Sequence, residues 1–307
     1  MSAAQPTPQH ARAEPNGATP RPAGHGGQEP GGSEHGGRGP EQDASVPVLL
    51  SVVVPVLHEA QRIAVLVGHV GALAGELPRG AVELVVADGA PEGDTLAALK
   101  LALGKDAGRA ATSVAPTGQL VTGGNAEEFF DTGLPVRAVV APRGRARQMN
   151  AGAAVARGQV LLFLHADTRL PDGAFPAVLR AMAVSPHAAR GEGLDAAAPA
   201  STACGGIAAI ATGSAGACVP GAGAFTLSID APGAWLRVVE ALANLRNRLT
   251  RTPYGDQAQF FRAGVFRAMG GYPDLPLMED VEIMRRVRRA GLPLALLALR
   301  AVTSARR

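Results

Sequence analysis

The strongest constraint on this chain is an alternation of short β-branched runs with segments of helical spacing. Val48-Leu49-Leu50-Ser51-Val52-Val53-Val54-Pro55-Val56 is bounded by turn signals and reads as a buried strand. From Glu59 to Leu77, the residues Ile63, Leu66, Val67, Val70, Leu73 and Leu77 recur at the spacing of one helix face. A second strand follows at Val82-Glu83-Leu84-Val85-Val86-Ala87 and ends on Asp88-Gly89. The rhythm returns with a strand from Val136 to Val140, a helix from Arg145 to Ala156 and a strand from Val160 to Leu164. Such alternation specifies an α/β fold, a mostly parallel sheet covered by helices. Ligands of open sheets collect beyond the carboxyl ends of the strands, where Asp88 and Asp167 both sit.

Two stretches interrupt the pattern, about 100–133 and about 184–223, the second dominated by Ala, Gly, Ser and Thr. They read as surface insertions in one domain spanning 46–307. Residues 1–45 are Gly, Pro, His and charge without the apolar core of a secretory signal, and read as a disordered tail. The last third restarts with an amphipathic helix from Ala234 to Thr250. A loop from Thr252 to Gln257, a short helix near Ala263 to Met269, and a turn at Gly270-Gly271-Tyr272-Pro273 lead to Met278-Glu279-Asp280. In the Ala234 helix, Trp235, Leu236, Val239, Leu242, Leu245 and Leu249 lie beside Arg237, Arg246 and Arg248. A stripe of that kind is ordinarily core; the alternative is a helix lying on a membrane surface.

Composition removes other classes. A net charge of +3, from 29 basic and 26 acidic residues, is too mild for a nucleic-acid binder. Cys204 and Cys218 have no His or Cys neighbours at zinc spacing, which fits a reducing cytoplasm better than a disulfide framework. The longest apolar run, from Val46 to Leu57, falls short of the roughly 20 residues that span a bilayer, so no transmembrane segment is expected.

Neither a Gly-x-Gly-x-x-Gly after the first strand nor a P-loop occurs, so a bound nucleotide would need another means of neutralising phosphate. A carboxylate-held divalent cation is the usual substitute. Asp167 is the leading ligand, with a turn-forming Asp before Pro171 as the plain alternative. His165 either adds an imidazole or packs. Asp88 either accepts hydrogen bonds from a nucleoside or starts a turn with Gly89. Arg143, Arg145 and Arg147 crowd the start of a helix, where the macrodipole disfavours cations; an anionic ligand would explain them, and so would a solvated basic face. Asp280 is a candidate general base. It also belongs to an acid-first, base-last helix, which is ordinary stabilisation.

Taken together these segments resemble the family 2 glycosyltransferases of GT-A fold, and most of all a bacterial subgroup associated with radical-SAM and selenoprotein domains. The resemblance rests on Ser51 to Glu59, Val86 to Gly89, Gly144 to Ala153, Leu164 to Thr168, Tyr254 to Gln257, and Gly270 to Asp280, in that order. It implies a Rossmann-like, mostly parallel central sheet flanked by helices. It implies that Pro55, Glu59 and Asp88 line the nucleotide pocket, with Arg147 and Asn150 near the donor. Asp167, with His165, would hold Mg²⁺ or Mn²⁺; Asp280 would be the base of an inverting displacement; Tyr254, Asp256, Gln257 and Glu279 would lie on the acceptor side. His165-Ala166-Asp167 stands where the family commonly has Asp-x-Asp, and relatives continue into another helix beyond Arg307. The expected activity is transfer of a sugar from a nucleotide-diphosphate sugar to a hydroxyl acceptor, a lipid among the candidates, in the cytoplasm or at the inner membrane face. The alternatives are a nucleotidyltransferase of related fold and a nucleotide-sugar binder without turnover.

Overall fold

The computed structural model describes residues 47–90, 92–103, 112–114, 120–122, 128–129, 134–185 and 219–304. The expected tail 1–45, both cysteines and most of the second insertion lie outside them. In chain order the elements are β1 Leu50–Val56, α1 Ile63–Ala74, β2 Val82–Asp88, α2 Asp94–Leu103, β3 Thr112–Val114, β4 Leu120–Thr122, β5 Glu128–Phe129, β6 Pro135–Val140, α3 Arg145–Val155 and β7 Val160–Phe163. There follow β8 Thr168–Arg169, α4 Ala174–Ala181, β9 Ala222–Asp230, α5 Ala234–Thr250, a 3₁₀ turn Gly255–Gln257, β10 Phe260–Arg262, α6 Ala263–Ala268, α7 Glu279–Arg289 and β11 Leu294–Ser304.

The described strands form one sheet in the order β3-β4-β6-β2-β1-β7-β10-β9-β11-β8, with β5 beside β6. Its centre, β6-β2-β1-β7, is parallel, as the strand and helix alternation requires. The flanks bring antiparallel pairs: β10 runs against β7 and β9, and β4 runs against β6. The segment from 100 to 133, read as an insertion, contributes the end of α2 and three short edge strands to this sheet.

Period-two alternation divides the central strands between two cores. Val52, Val54 and Val56 of β1 join Leu84 and Val86 of β2 under α1 and α4, where Phe175 is fully buried. Val53, Val85, Leu161 and Phe163 face the other way, onto α3, α6 and α7. There Phe163, Phe261, Phe266 and Tyr272 pack mostly edge to face, with centroids 4.9 to 6.1 Å apart. Helix α3 can sit this close because position 152 is glycine: a Cβ there would stand 2.5 Å from Val53 Cγ1. At the amino end of the sheet, buried Glu83 accepts from Ser51 Oγ at 2.6 Å, Arg157 N at 2.6 Å and Arg137 Nε at 3.1 Å. Burial still pushes its carboxyl up, against the opposing pull of Ser51 and Arg137.

Helix α5 reverses the expectation that its stripe is core. Its polar residues face the protein: Asn244 bonds both N–H and C=O of Leu227, Glu240 accepts from Ile229 N, and Asn247 donates to Gln257. The inner side of α5 therefore serves β9 and the 3₁₀ turn, so Trp235, Leu242, Leu245 and Leu249 are turned outward, while Leu236 and Val239 are half-buried. Trp235 and Leu249 are 73% and 76% exposed. No described helix is long and apolar enough to cross a membrane.

Candidate active site

Chain order turns back at β1: β2 and β6 lie to one side of it and β7 to the other. The carboxyl ends of β1 and β7 thus border the crevice where open α/β sheets hold ligands. Pro55 is half-buried opposite Ala87, and after it His58 takes a left-handed backbone (φ 55°). His58 Nδ1 lies 3.3 Å from Asp94 Oδ2, which ties the β1 loop to the start of α2. Glu59 donates its N–H to Thr95 Oγ1 at 3.0 Å and accepts from Arg62 at 3.0 Å.

Asp88 closes β2 and is fully buried. Oδ1 accepts from Ala90 N at 2.9 Å, while the described residues offer no hydrogen-bond partner to Oδ2. Burial pushes this carboxyl up, and the bond from Ala90 only partly opposes it. The bond from Ala90 N is the turn that the plain alternative expects, and Oδ2 is the acceptor left over for a ligand.

Buried Gln148 of α3, to which the sequence reading gave no role, locks this corner. Its Nε2 donates to Val56 O at 2.5 Å and to Ala87 O at 3.1 Å, holding the ends of β1 and β2 together. Asn150 also has a structural place. It donates to Tyr272 O at 2.8 Å and accepts from Tyr272 N at 2.9 Å, so both ends of its amide hold the Gly270 to Pro273 turn. Arg147 forks onto Asp274 with contacts of 2.8 to 3.0 Å on an exposed surface. Arg145 lies 3.8 Å from buried Glu279, so two of the three clustered arginines face carboxylates of this chain.

Between β7 and β8 the chain crosses the rim through His165, Ala166 and Asp167. His165 is buried and Asp167 half-buried. Asp280 arrives from α7 with both carboxylate oxygens oriented: Gly255 N donates to Oδ2 at 2.5 Å and Val281 N to Oδ1 at 2.8 Å. The absent side chain of Gly255 marks where these groups meet. A Cβ there would lie 3.1 Å from Asp280 Oδ2 and 3.4 Å from His165 Nε2. Glu279, next to Asp280, has its carboxyl pushed up, first by burial and then by the Asp280 charge, with Arg145 opposing.

Gln259, another residue without a role in the sequence reading, braces this junction. Its Nε2 donates to Pro253 O at 2.9 Å and Asp280 O at 3.1 Å, and its Oε1 accepts from buried Tyr272 OH at 3.0 Å. A polar residue directly ahead of Phe260-Phe261 was the available signal. Gln257 is likewise structural, accepting from Asn247 and Tyr254 N and donating to Phe225 O. Tyr254 stacks under Arg246, whose guanidinium carbon is 3.6 Å from the ring centroid, and Asp256 is half-buried in the 3₁₀ turn.

A cavity of about 310 Å³ opens beside Asp167, lined also by Arg62, His69, Arg169, Asp230 and Ser304. Of the site residues named from the sequence, Asp167 alone lines it. His69 Nε2 accepts from Leu170 N at 3.1 Å, and burial, helped by Arg169, holds its pKa below the ordinary imidazole value.

Among the described residues no three His, Cys, Asp or Glu side chains gather as a metal cluster. Asp167 offers the carboxylate oxygens that a hard cation such as Mg²⁺ prefers, the rest of the shell being substrate phosphates and water, whereas the imidazole of His165 is the poorer donor for it.

Comparison with known proteins agrees with this architecture. Residues 122–190 match the family described as Glycosyl transferase family 2. No curated protein matches the chain. Among solved structures, S. aureus TarS 1-349 aligns with a TM-score of 0.52 at 12% identity over 84% of this chain. Its complex with UDP-GlcNAc aligns with a TM-score of 0.50 at 12% identity over 85% of this chain and 59% of that one. The mannosyltransferase PcManGT from Pyrobaculum calidifontis, in complex with GDP-Man and Mn²⁺, is a looser match, with a TM-score of 0.46 at 14% identity over 85% of this chain and 58% of that one. This chain spans 60% of the TarS 1-349 chain. The likeness to family 2 glycosyltransferases is thus carried by residues 122–190, and the fold is similar to that of TarS 1-349.

Proposed function

We propose that the protein transfers a sugar from a nucleotide-diphosphate sugar to an acceptor hydroxyl with inversion, Asp280 acting as base. The observation that carries this reading is the convergence of Asp280 Oδ2 and His165 Nε2 on Gly255, 3.1 and 3.4 Å from where its Cβ would stand. Asp280 has two of its four lone-pair positions engaged by backbone N–H groups, which orients the carboxylate and leaves capacity for a hydroxyl proton. As the acceptor oxygen bonds to the anomeric carbon, its proton passes to Asp280. The bond from that carbon to the phosphate oxygen breaks, and the nucleoside diphosphate leaves. The orphaned Oδ2 of Asp88 accepts from the donor nucleoside. Asp167, with His165 beside it, would hold Mg²⁺ or Mn²⁺, which when bound neutralises the charge developing on the diphosphate.

Donor turnover with Mn²⁺ tests the assignment, comparing the parent with Asp167→Ala and Asp280→Asn. Loss in both is expected; unchanged turnover in both overturns it. Release of pyrophosphate from a nucleoside triphosphate and a sugar phosphate would favour a nucleotidyltransferase instead. Binding of nucleoside diphosphate without turnover on a broad acceptor panel would favour a non-catalytic binder.

A further inference from the structure

We propose that α5 is an interfacial helix that seats the protein on an anionic lipid bilayer. Trp235, Val238, Leu242, Leu245 and Leu249 are all exposed and form one continuous outer stripe. The side chains that would normally oppose such a stripe are spent inward: Glu240, Asn244 and Asn247 bond to β9 and the 3₁₀ turn. The helix thus shows its apolar side to the surroundings, which is costly in water and favourable at the boundary between headgroups and acyl chains.

Charge selects the occupant. From Ala234 to Arg251 the one acid, buried Glu240, is paired with Arg237, and Arg246 stacks on Tyr254, which leaves Arg248 and Arg251 as the remaining exposed charges, both basic. The stripe spacing of three and four alternately would also suit a helix pair with a second copy. In such a pair exposed Arg248 would fall beside the seam, with no acid on the helix to answer it, so self-association would bring like charges together. A surface of anionic headgroups accepts both the stripe and the arginines. This inference does not depend on the transferase reading.

Trp235, the chain's only tryptophan, reports on the contact directly. Full-length protein is mixed with vesicles of phosphatidylcholine containing phosphatidylglycerol, and separately with pure phosphatidylcholine. The expected result is a blue shift of Trp235 emission, quenched by brominated lipid, with co-flotation on the anionic vesicles and at least about tenfold weaker binding to the neutral ones. Leu242→Glu combined with Leu249→Glu should weaken binding by at least about tenfold, and Arg248→Gln roughly fivefold. Circular dichroism and melting should not change, because these side chains are exposed. Equal binding to both vesicle types, or none to either, overturns the proposal. So does emission that is already blue and inaccessible to acrylamide before lipid is added, or a dimer in solution that the leucine substitutions dissolve.

Discussion

Asp280 is held at both carboxylate oxygens, and that hold separates its two roles. Asparagine keeps one acceptor and sets an amide against the other N–H, so Asp280→Asn should cost about 1 kcal/mol of stability whichever role applies. If Asp280 is the base, donor turnover should also fall by roughly 10²- to 10⁴-fold. Turnover assays beside a melting curve read the two effects apart, and a stability loss with full turnover would leave Asp280 a helix-start residue. Asn150 carries the opposite expectation. Both ends of its amide are used on Tyr272, so Asn150→Ala should cost about 2 kcal/mol and leave the donor KM unchanged. A raised KM with unchanged melting would return it to the donor pocket. Asp88 and Asp167 stand out in the sequence because each follows an apolar strand, where acid cannot belong to the core. Gln148, Asn150 and Gln259 were not legible as braces, since their partners are main-chain groups brought in from other elements.

The central strands and helix α1 follow the sequence periods closely, because burial on fixed faces imposes them. β11 does not: Leu294-Ala295-Leu296-Leu297-Ala298-Leu299 is made of helix formers. It is a strand because β9 offers it a parallel ladder, a tertiary gain that overrides local preference. The outward face of α5 was hidden for a related reason, since its periodicity shows that a stripe exists and not which way it turns. Packing of single elements can be tested with one substitution made in two helices. At Gly152 of α3 a Cβ would meet Val53 Cγ1 at 2.5 Å, so Gly152→Ala should destabilise by about 1–3 kcal/mol despite the better helix former. At Gly68 of α1 a Cβ meets nothing within 4 Å, so Gly68→Ala should stabilise by up to about 1 kcal/mol. Urea melts of both variants check the contrast, and equal signs would contradict the close approach of α3 to β1.

At the scale of the molecule, the sheet holds buried acids at both ends, and the ends treat them differently. Glu83, at the amino end, is answered by Arg137, Ser51 and Arg157 N. At the carboxyl rim, Asp88 Oδ2 and Glu279 Oε1 have no hydrogen-bond partner among the described residues, and Arg145 comes only to 3.8 Å of Glu279. Polar atoms kept dry and unanswered cost stability, and a fold retains them where a ligand will answer them. Burial raises both rim carboxyls above the values of 3.8 and 4.5 they would have in the unfolded chain. A raised folded value means the contribution of each group is fully present below its unfolded value and is lost as pH rises through the folded one. At neutral pH both groups therefore work against the fold. The double variant Asp88→Asn with Glu279→Gln should melt above the parent near pH 7.5. The gap should close as pH falls below the ordinary carboxylate values, where the parent's own carboxyls are protonated. If Asp88 receives the donor nucleoside, the same variant should bind nucleoside diphosphate more weakly while being the more stable protein. Melting curves across this pH range, with nucleotide titrations at neutral pH, measure both sides of that exchange; a variant no more stable than its parent at pH 7.5 would show that the rim acids carry no such cost.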